Sequence, residues 1–283
     1  MDSAFNFQGE YEFTAAHFSK VKKDLYEHAG ILLPDHKKEL ACNRLMRRLR
    51  ALDLDSYDSY FNYIQANPNE LRQFVNVLTA NISGFYQQRQ HFDFIAEILL
   101  PKLKSDNQQQ LRGWSAGCAN GEEAYSIVMT LADSLLNLND LDIKILATDI
   151  DPMMLKAAKF GVYDIDMINM LSRQAVHKYF LKGVANRGGK VLIRPELQRL
   201  ICFKYLNLMD DWPMTGQFDF IFCRNVMVYF NKEAQQGLIE KLGAMLKAGG
   251  YLFVGKTEQL VPEQKNFNLI ANAIYQKRCS FGP

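Results

Sequence analysis

GWSAGCANGEEAYS, residues 113–126, is the stretch on which the fold hinges. An apolar run enters it, Gly117 and Gly121 punctuate it, and a helix-forming stretch leaves it. Strand, glycine turn and helix in that order form the layout of a nucleotide-binding turn in a parallel sheet. Gly117 would let the backbone bend sharply, and Gly121 would let a ligand approach the chain closely. A pyrophosphate held on the helix amides would meet Glu122 and Glu123 and be repelled. A cationic ligand reverses that sign. S-adenosylmethionine carries an ammonium and a sulfonium and no phosphate, so it suits this turn better than a dinucleotide does. The same two acids also suit a helix amino terminus on dipole grounds alone, and the residues leave that alternative open.

Outward from this turn the texture alternates. IKILATDID, ICFKYLNL, FDFIFCRNVMVYF and GGYLFVGKTE are short apolar runs of strand length, with helical patterns such as EEAYSIVMTLADSLLNL, PMMLKAAKF and KEAQQGLIEKLGAMLKAG between several of them. That alternation predicts an α/β domain with a mainly parallel sheet. FNLIANAIYQKRCS reads as two short closing strands. Between residues 164 and 199, FLKGV and VLIRP flank ANRGGK, a hairpin signal, and predict a small inserted β unit. Upstream, residues 14 to about 104 place apolar side chains at three- and four-residue intervals and read as helices throughout. The expected division is a helical domain and linker over 1–89, then an α/β domain over 90–283.

Bulk properties agree with a soluble two-domain chain. It has 283 residues, 48% hydrophobic and 23% charged, with a net charge of +2, so an electrostatic partner must meet a local patch. No apolar run approaches the roughly 20 residues that span a bilayer, and MDSAFNFQGEYEF lacks the order of a signal peptide. A cytoplasmic protein without membrane insertion is expected. The five cysteines contain no C-x-x-C pair and the five histidines no ligand spacing, so no metal is expected.

Three strand ends carry further candidates. Asp149, closing ATDID, sits where an acid can accept both ribose hydroxyls; Asp151 and Pro152 read as the start of the next helix. Arg224 and Asn225 break an apolar run at the site edge of the sheet. Tyr229, four residues on, either presents its hydroxyl to the reacting groups or is a plain core aromatic. Asn207 and Leu208 would lie beside an adenine. There is no Ser/His/Asp order and no activated thiol, but methyl transfer to a carboxylate needs neither. A carboxylate is already ionised at neutral pH, and holding it in line with the methyl can suffice.

These strings together resemble the CheR family, the chemotaxis receptor glutamate O-methyltransferases. WSAGCANGEEAYS, ATDID, YLNL, FDFIFCRNVMVYF and GYLFVGKTE recur in the family's order, and the resemblance runs from about Phe13 to Tyr275. It implies a small all-α domain followed by a Rossmann-like S-adenosylmethionine-dependent methyltransferase domain with an inserted β subdomain. It also implies that Glu123 and Asp149 hold the methionine and ribose portions of the cofactor, and that Asn207, Leu208, Arg224 and Asn225 complete the pocket with Gly117. Asn81 and Ser83 match the linker that touches the cofactor. The implied reaction is methylation of glutamates on the cytoplasmic helices of chemoreceptors, and in some members the β subdomain docks a receptor's carboxyl-terminal tail. Two positions depart from the family: its linker arginine is Gln87 here, and its G-H-S-E is Gly255-Lys256-Thr257-Glu258. Gln87 therefore separates two readings, an active enzyme and a regulatory homologue that binds the cofactor or its product without efficient turnover.

Lys37, Lys38, Arg44, Arg47, Arg48 and Arg50 put a basic surface on one predicted helix. A solvated face is the plain reading; the resemblance instead makes Arg44, Arg47, Arg48 and Arg50 a face for acidic receptor helices. RNA would also be drawn to such a patch, but RNVMVYF stands where a base methyltransferase would carry an N/D-P-P-Y/F loop, so no nucleic acid is expected.

Overall fold

The computed structural model describes residues 11–79, 83–135, 138, 141–184, 188–258, 260 and 266–279. Contacts divide the chain into two compact units, Met1–Ala80 with Tyr229–Ala234, and Asn81–Val228 with Gln235–Pro283.

The first unit is helical: α1 (Ala15–Ala29), α2 (Lys38–Ala51), α3 (Tyr57–Ala66) and α4 (Pro68–Thr79). Local chemistry sets the ends of α1. The Thr14 hydroxyl accepts from the His17 amide, the His17 ring accepts from the Thr14 amide, and Gly30 closes the helix at φ 67°. Apolar residues at helical spacing meet inside, with Phe18, Val21 and Leu25 against Leu45, Leu49, Tyr60, Phe61 and Phe74, all buried.

The second unit opens with α5 (Gln90–Phe94) and α6 (Leu100–Ser105), joined by a π-helical turn, Ile95–Leu99. It then alternates β1 (Gln110–Ala116), α7 (Glu122–Ser134), β2 (Asp142–Asp149) and α8 (Pro152–Phe160). After the insertion come α10 (Pro195–Gln198), β6 (Ile201–Tyr205), β7 (Phe218–Cys223), α11 (Lys232–Met245), β8 (Leu246–Val254), β9 (Phe267–Ala271) and β10 (Ile274–Lys277). The strands form one sheet in the order β6-β2-β1-β7-β8-β10-β9, parallel except for β10, which runs against both its neighbours. Every residue of β7 is buried, as expected for a central parallel strand covered on both faces. The chain leaves β1 for β2 on one side and reaches β7 on the other, so the carboxyl ends of β1 and β7 flank the switch-point crevice where ligands collect in such sheets.

The insertion is a three-stranded antiparallel sheet, β3 (Val162–Asp164), β5 (Lys190–Ile193) and β4 (Phe180–Lys182) in that order, with α9 (Arg173–Tyr179) between β3 and β4. The hairpin signal marks the β4–β5 pair, while residues 185–187 of its turn lie outside the described residues. This is the anticipated architecture: an all-α domain and a Rossmann-like domain with a small inserted β sheet.

Candidate functional site

The glycine turn is built by its neighbours. The Gly117 and Cys118 amides both donate to the Thr148 carbonyl, at 2.8 and 2.9 Å, which ties the end of β1 to the end of β2. Gly117 has φ 85°, and a Cβ there would lie 2.4 Å from Val226 Cγ2, so only glycine fits. Gly121, at φ 92°, is favoured by its backbone conformation, and packing adds a second reason. Its missing Cβ would meet the Ala158 Cβ at 2.9 Å and the Tyr163 hydroxyl at 3.3 Å, so it makes room for α8 and the inserted sheet. Asp149 reaches back across the turn: its Oδ2 accepts from the Ala119 amide at 2.8 Å and its Oδ1 from the Asp151 amide at 2.9 Å. Each oxygen keeps a second lone pair for a hydroxyl. Asp151 caps α8 through the Met153 amide at 2.7 Å, with Pro152 at the first helical position, as its sequence indicates.

Glu122 and Glu123 face different partners. Glu122 is fully buried, with Oε2 accepting from the Ser83 hydroxyl at 2.8 Å and Oε1 from the Asn120 amide group at 3.4 Å. Glu123 accepts from the Ser115 hydroxyl at 2.7 Å and pairs with Arg224 Nη1 at 3.0 Å. Arg224, buried to 3% side-chain exposure, also donates through Nε to the Gln88 side chain at 3.0 Å and through Nη2 to the Gln87 carbonyl at 2.8 Å. One guanidinium thus joins the head of α7 to the linker. The linker is strained where it is gripped, with Tyr86 at φ 52° and Gln88 at φ 55°. The Gln87 side chain is exposed, and Arg89 points elsewhere, 3.6 Å from Asp93 and over the Tyr86 ring. Asn81 lies outside the described residues.

The loops after β6, β7 and β8 complete the crevice rim. Asn207 heads a turn, its Oδ1 accepting from the Met209 amide at 3.1 Å, and Leu208 is buried beside it. Asn225 sits in the left-handed region at φ 60°, and its amide donates to Glu258 Oε2 at 2.7 Å. Glu258, Ser115 and Gln88 are site residues that sequence reasoning did not nominate. The only trace of Glu258 was the acid ending the GKTE string; no local pattern marks the other two.

Comparison with known proteins decides the family. Residues 81–275 match the CheR methyltransferase SAM binding domain, and residues 16–79 match the CheR methyltransferase all-alpha domain. The chain belongs to the CheR methyltransferase family. It is 37% identical over 267 residues to chemotaxis protein methyltransferase 2 of Pseudomonas aeruginosa, covering 94% of each chain. It is 38% identical to the chemotaxis protein methyltransferase of Salmonella typhimurium, over 92% of this chain and 89% of that one. The Escherichia coli protein of the same name is 36% identical, over 92% and 90%. A CheR methyltransferase uses S-adenosylmethionine, and this chain is a methyltransferase of the chemotaxis type.

The pocket's charge fits that cofactor. Glu122, Glu123 and Asp149 bring buried carboxyls together at the glycine turn, all three acting on the Cys118 thiol, with Arg224 paired to Glu123. Burial pushes the Glu122, Glu123 and Asp149 carboxyls above their ordinary range; Arg224 opposes this at Glu123, and backbone amides oppose it at Asp149. Such a site gains from a positively charged occupant and would reject a diphosphate. Burial also pushes the Cys118 and Cys223 thiols well up, so neither is a ready nucleophile.

Two sets of candidate residues belong to the helical unit. Tyr229 is grouped with the helical unit, where its carbonyl accepts from the Leu32 amide and Lys37 Nζ lies 4.9 Å from its ring centroid. Asn231 in the same segment donates to the Tyr26 hydroxyl at 3.0 Å. The basic helix also differs from a uniform binding face. Arg48 pairs with buried Glu70 through two hydrogen bonds of 2.9 and 2.6 Å, and Arg44 donates to the Val77 and Leu78 carbonyls at the end of α4. Those two side chains hold α2 to α4. Arg47 and Arg50 are exposed.

Proposed function

We propose that this chain methylates glutamate side chains on the cytoplasmic helices of chemoreceptors, giving methyl esters, and that it acts in the cytoplasm. The supporting observation is the set of buried carboxyls at the glycine turn, Glu122, Glu123 and Asp149, which suits a cationic methyl donor in a chain of the CheR family. Cys118 and Cys223 are held protonated, and His91, beside Arg224, is driven down to about 4 by burial first and the arginine second. A glutamate carboxylate is already ionised at neutral pH, so it needs neither these thiols nor this imidazole as a base. When bound, S-adenosylmethionine supplies a methyl group on a sulfonium. Glu123, oriented by Ser115 and Arg224, is proposed to hold the cationic methionine portion, and Asp149 the ribose. Ser83, Asn207, Leu208, Asn225 and Gly117 are proposed to shape the rest of the pocket. Gln87 is the proposed residue nearest the chemistry, and Arg47 and Arg50 are the exposed cations proposed to face acidic receptor helices.

The three-stranded sheet suits a receptor tail. Val162, Leu192 and Leu181 lie side by side in register, with Val162 and Leu181 exposed. Substituting lysine at either exposed position should weaken capture of a tail peptide.

Labelled methyl transfer to receptor membranes, followed by release of volatile methanol in base, tests the reading. Ester formation supports it; product binding without base-labile label would leave the regulatory homologue, which the neutral Gln87 favours.

A further inference from the structure

Glu258 is buried, and its carboxylate ends at three backbone amides from two loops. Oε2 accepts from Asn225 and Gly255, both at 2.7 Å, and Oε1 from Val228 at 3.2 Å. The turn carrying it closes on itself, with the Glu258 amide donating to the Gly255 carbonyl at 2.9 Å. Gly255 is glycine because a Cβ there would stand 2.2 Å from Glu258 Oε2. The loops joined in this way follow β7 and β8, neighbouring parallel strands whose own ladder ends at Cys223 and Val254. Beyond that point Glu258 is what continues the pairing.

The turn it grips carries three contacts into the pocket. Arg224 reaches Glu123 and the linker, Asn225 is held in a left-handed conformation that L residues seldom adopt unaided, and Val226 packs against Gly117. We propose that Glu258 is a positioning residue for cofactor binding: by fixing residues 225–228 it sets the β7 side of the pocket. The proposal rests on the crevice being the cofactor site. Glutamine in its place has one acceptor atom where the carboxylate has two, so at least one buried amide would lose its partner and the turn would relax.

Calorimetric titration of the full chain with S-adenosylhomocysteine tests this, with thermal midpoints measured alongside. Glu258→Gln should weaken binding about tenfold and raise KM for S-adenosylmethionine, with kcat changed less than about threefold. Gly255→Ala, which drives a methyl group into the carboxylate, should reproduce the loss from the other side. Glu240→Gln, on the exposed face of α11, should bind as the parent does. If either folded variant at 255 or 258 binds within twofold of the parent, or only the thermal midpoint falls, Glu258 is a structural staple and the proposal is overturned. Asp149→Asn separates the two levels: weakened binding there with normal binding in Glu258→Gln would overturn this inference alone, and normal binding in Asp149→Asn would overturn the site itself.

Discussion

Arg224 is a cation enclosed with one carboxylate and two glutamine oxygens, and its charge has no solvent to fall back on. Arg224→Met should cost about 3–5 kcal/mol in urea unfolding, because Glu123 would be left buried and unpaired. Arg224→Lys should recover only part of this, since one ammonium cannot repeat a fork that spans three acceptors. His91 poses the opposite problem. Its ring is fully buried, 5.4 Å from the Phe253 ring and 6.0 Å from that of Phe222, and its pKa of about 4 lies below the ordinary 6.5. The unfolded chain therefore takes up this proton first, and stability falls as pH drops from 6.5 toward 4. His91→Phe removes that linkage, so its gain in thermal midpoint over the parent should widen between pH 7.5 and pH 5. An unchanging difference would mean that His91 does not titrate on unfolding. At Gln87 the proposed reading turns on a missing charge. Gln87→Arg should raise single-turnover methyl transfer about tenfold, equivalent to about 1.4 kcal/mol in the barrier. No increase would show that the proposed substrate carboxylate is met by another group.

At the scale of elements, α2 combines two duties that its sequence does not separate. Its apolar positions Ala41, Leu45 and Leu49 are buried at regular spacing, and its arginines look equivalent on a helical wheel. The partner helix makes them unequal, because buried Glu70 on α4 claims Arg48 and leaves Arg47 exposed. Arg48→Ala should lower stability by about 2–4 kcal/mol through the stranded Glu70 charge. Arg47→Ala should leave the thermal midpoint within about 1 °C while weakening the proposed receptor methylation, since exposed substitutions away from such features change stability little. Equal loss of stability in both variants would refute the division. The same logic adds to Gly121, which its turn favours through a φ of 92° and which α8 also packs against. Strand and helix identity were readable because periodicity and caps act over a few residues; Glu258 was not, because its partners at 225 and 228 lie across a strand pair.

For the molecule as a whole, the pocket is an anionic hollow whose carboxyls titrate high. Glu122 and Glu123 are raised from 4.5 and Asp149 from 3.8, so the ligand-free folded state binds protons that the unfolded chain does not. These groups therefore favour folding on the acid side, and that contribution is lost as pH rises through their raised values. A cationic ligand favours the ionised forms. Binding of S-adenosylmethionine should then release protons, and its affinity should weaken as pH falls into the window above 4.5. Calorimetry in buffers of different ionisation enthalpy measures this; proton uptake instead of release would contradict the charge assignment. Among the described residues no helix is long and apolar enough to cross a membrane.

The sequence alone determined the order of strands and helices, the glycine turn at 117, the acids at 123 and 149 and the helix start at Asp151. Each of these is written in residues within a few positions of one another, where backbone geometry and hydrogen bonding are local. The tertiary structure decided which buried charge neutralises which. Arg224 stands 101 positions from Glu123, Glu258 33 from Asn225, and segment 229–234 joins the helical unit after the chain has left β7. Strand order brings those groups within 3 Å, and a buried charge takes the partner that the sheet delivers, however distant in sequence.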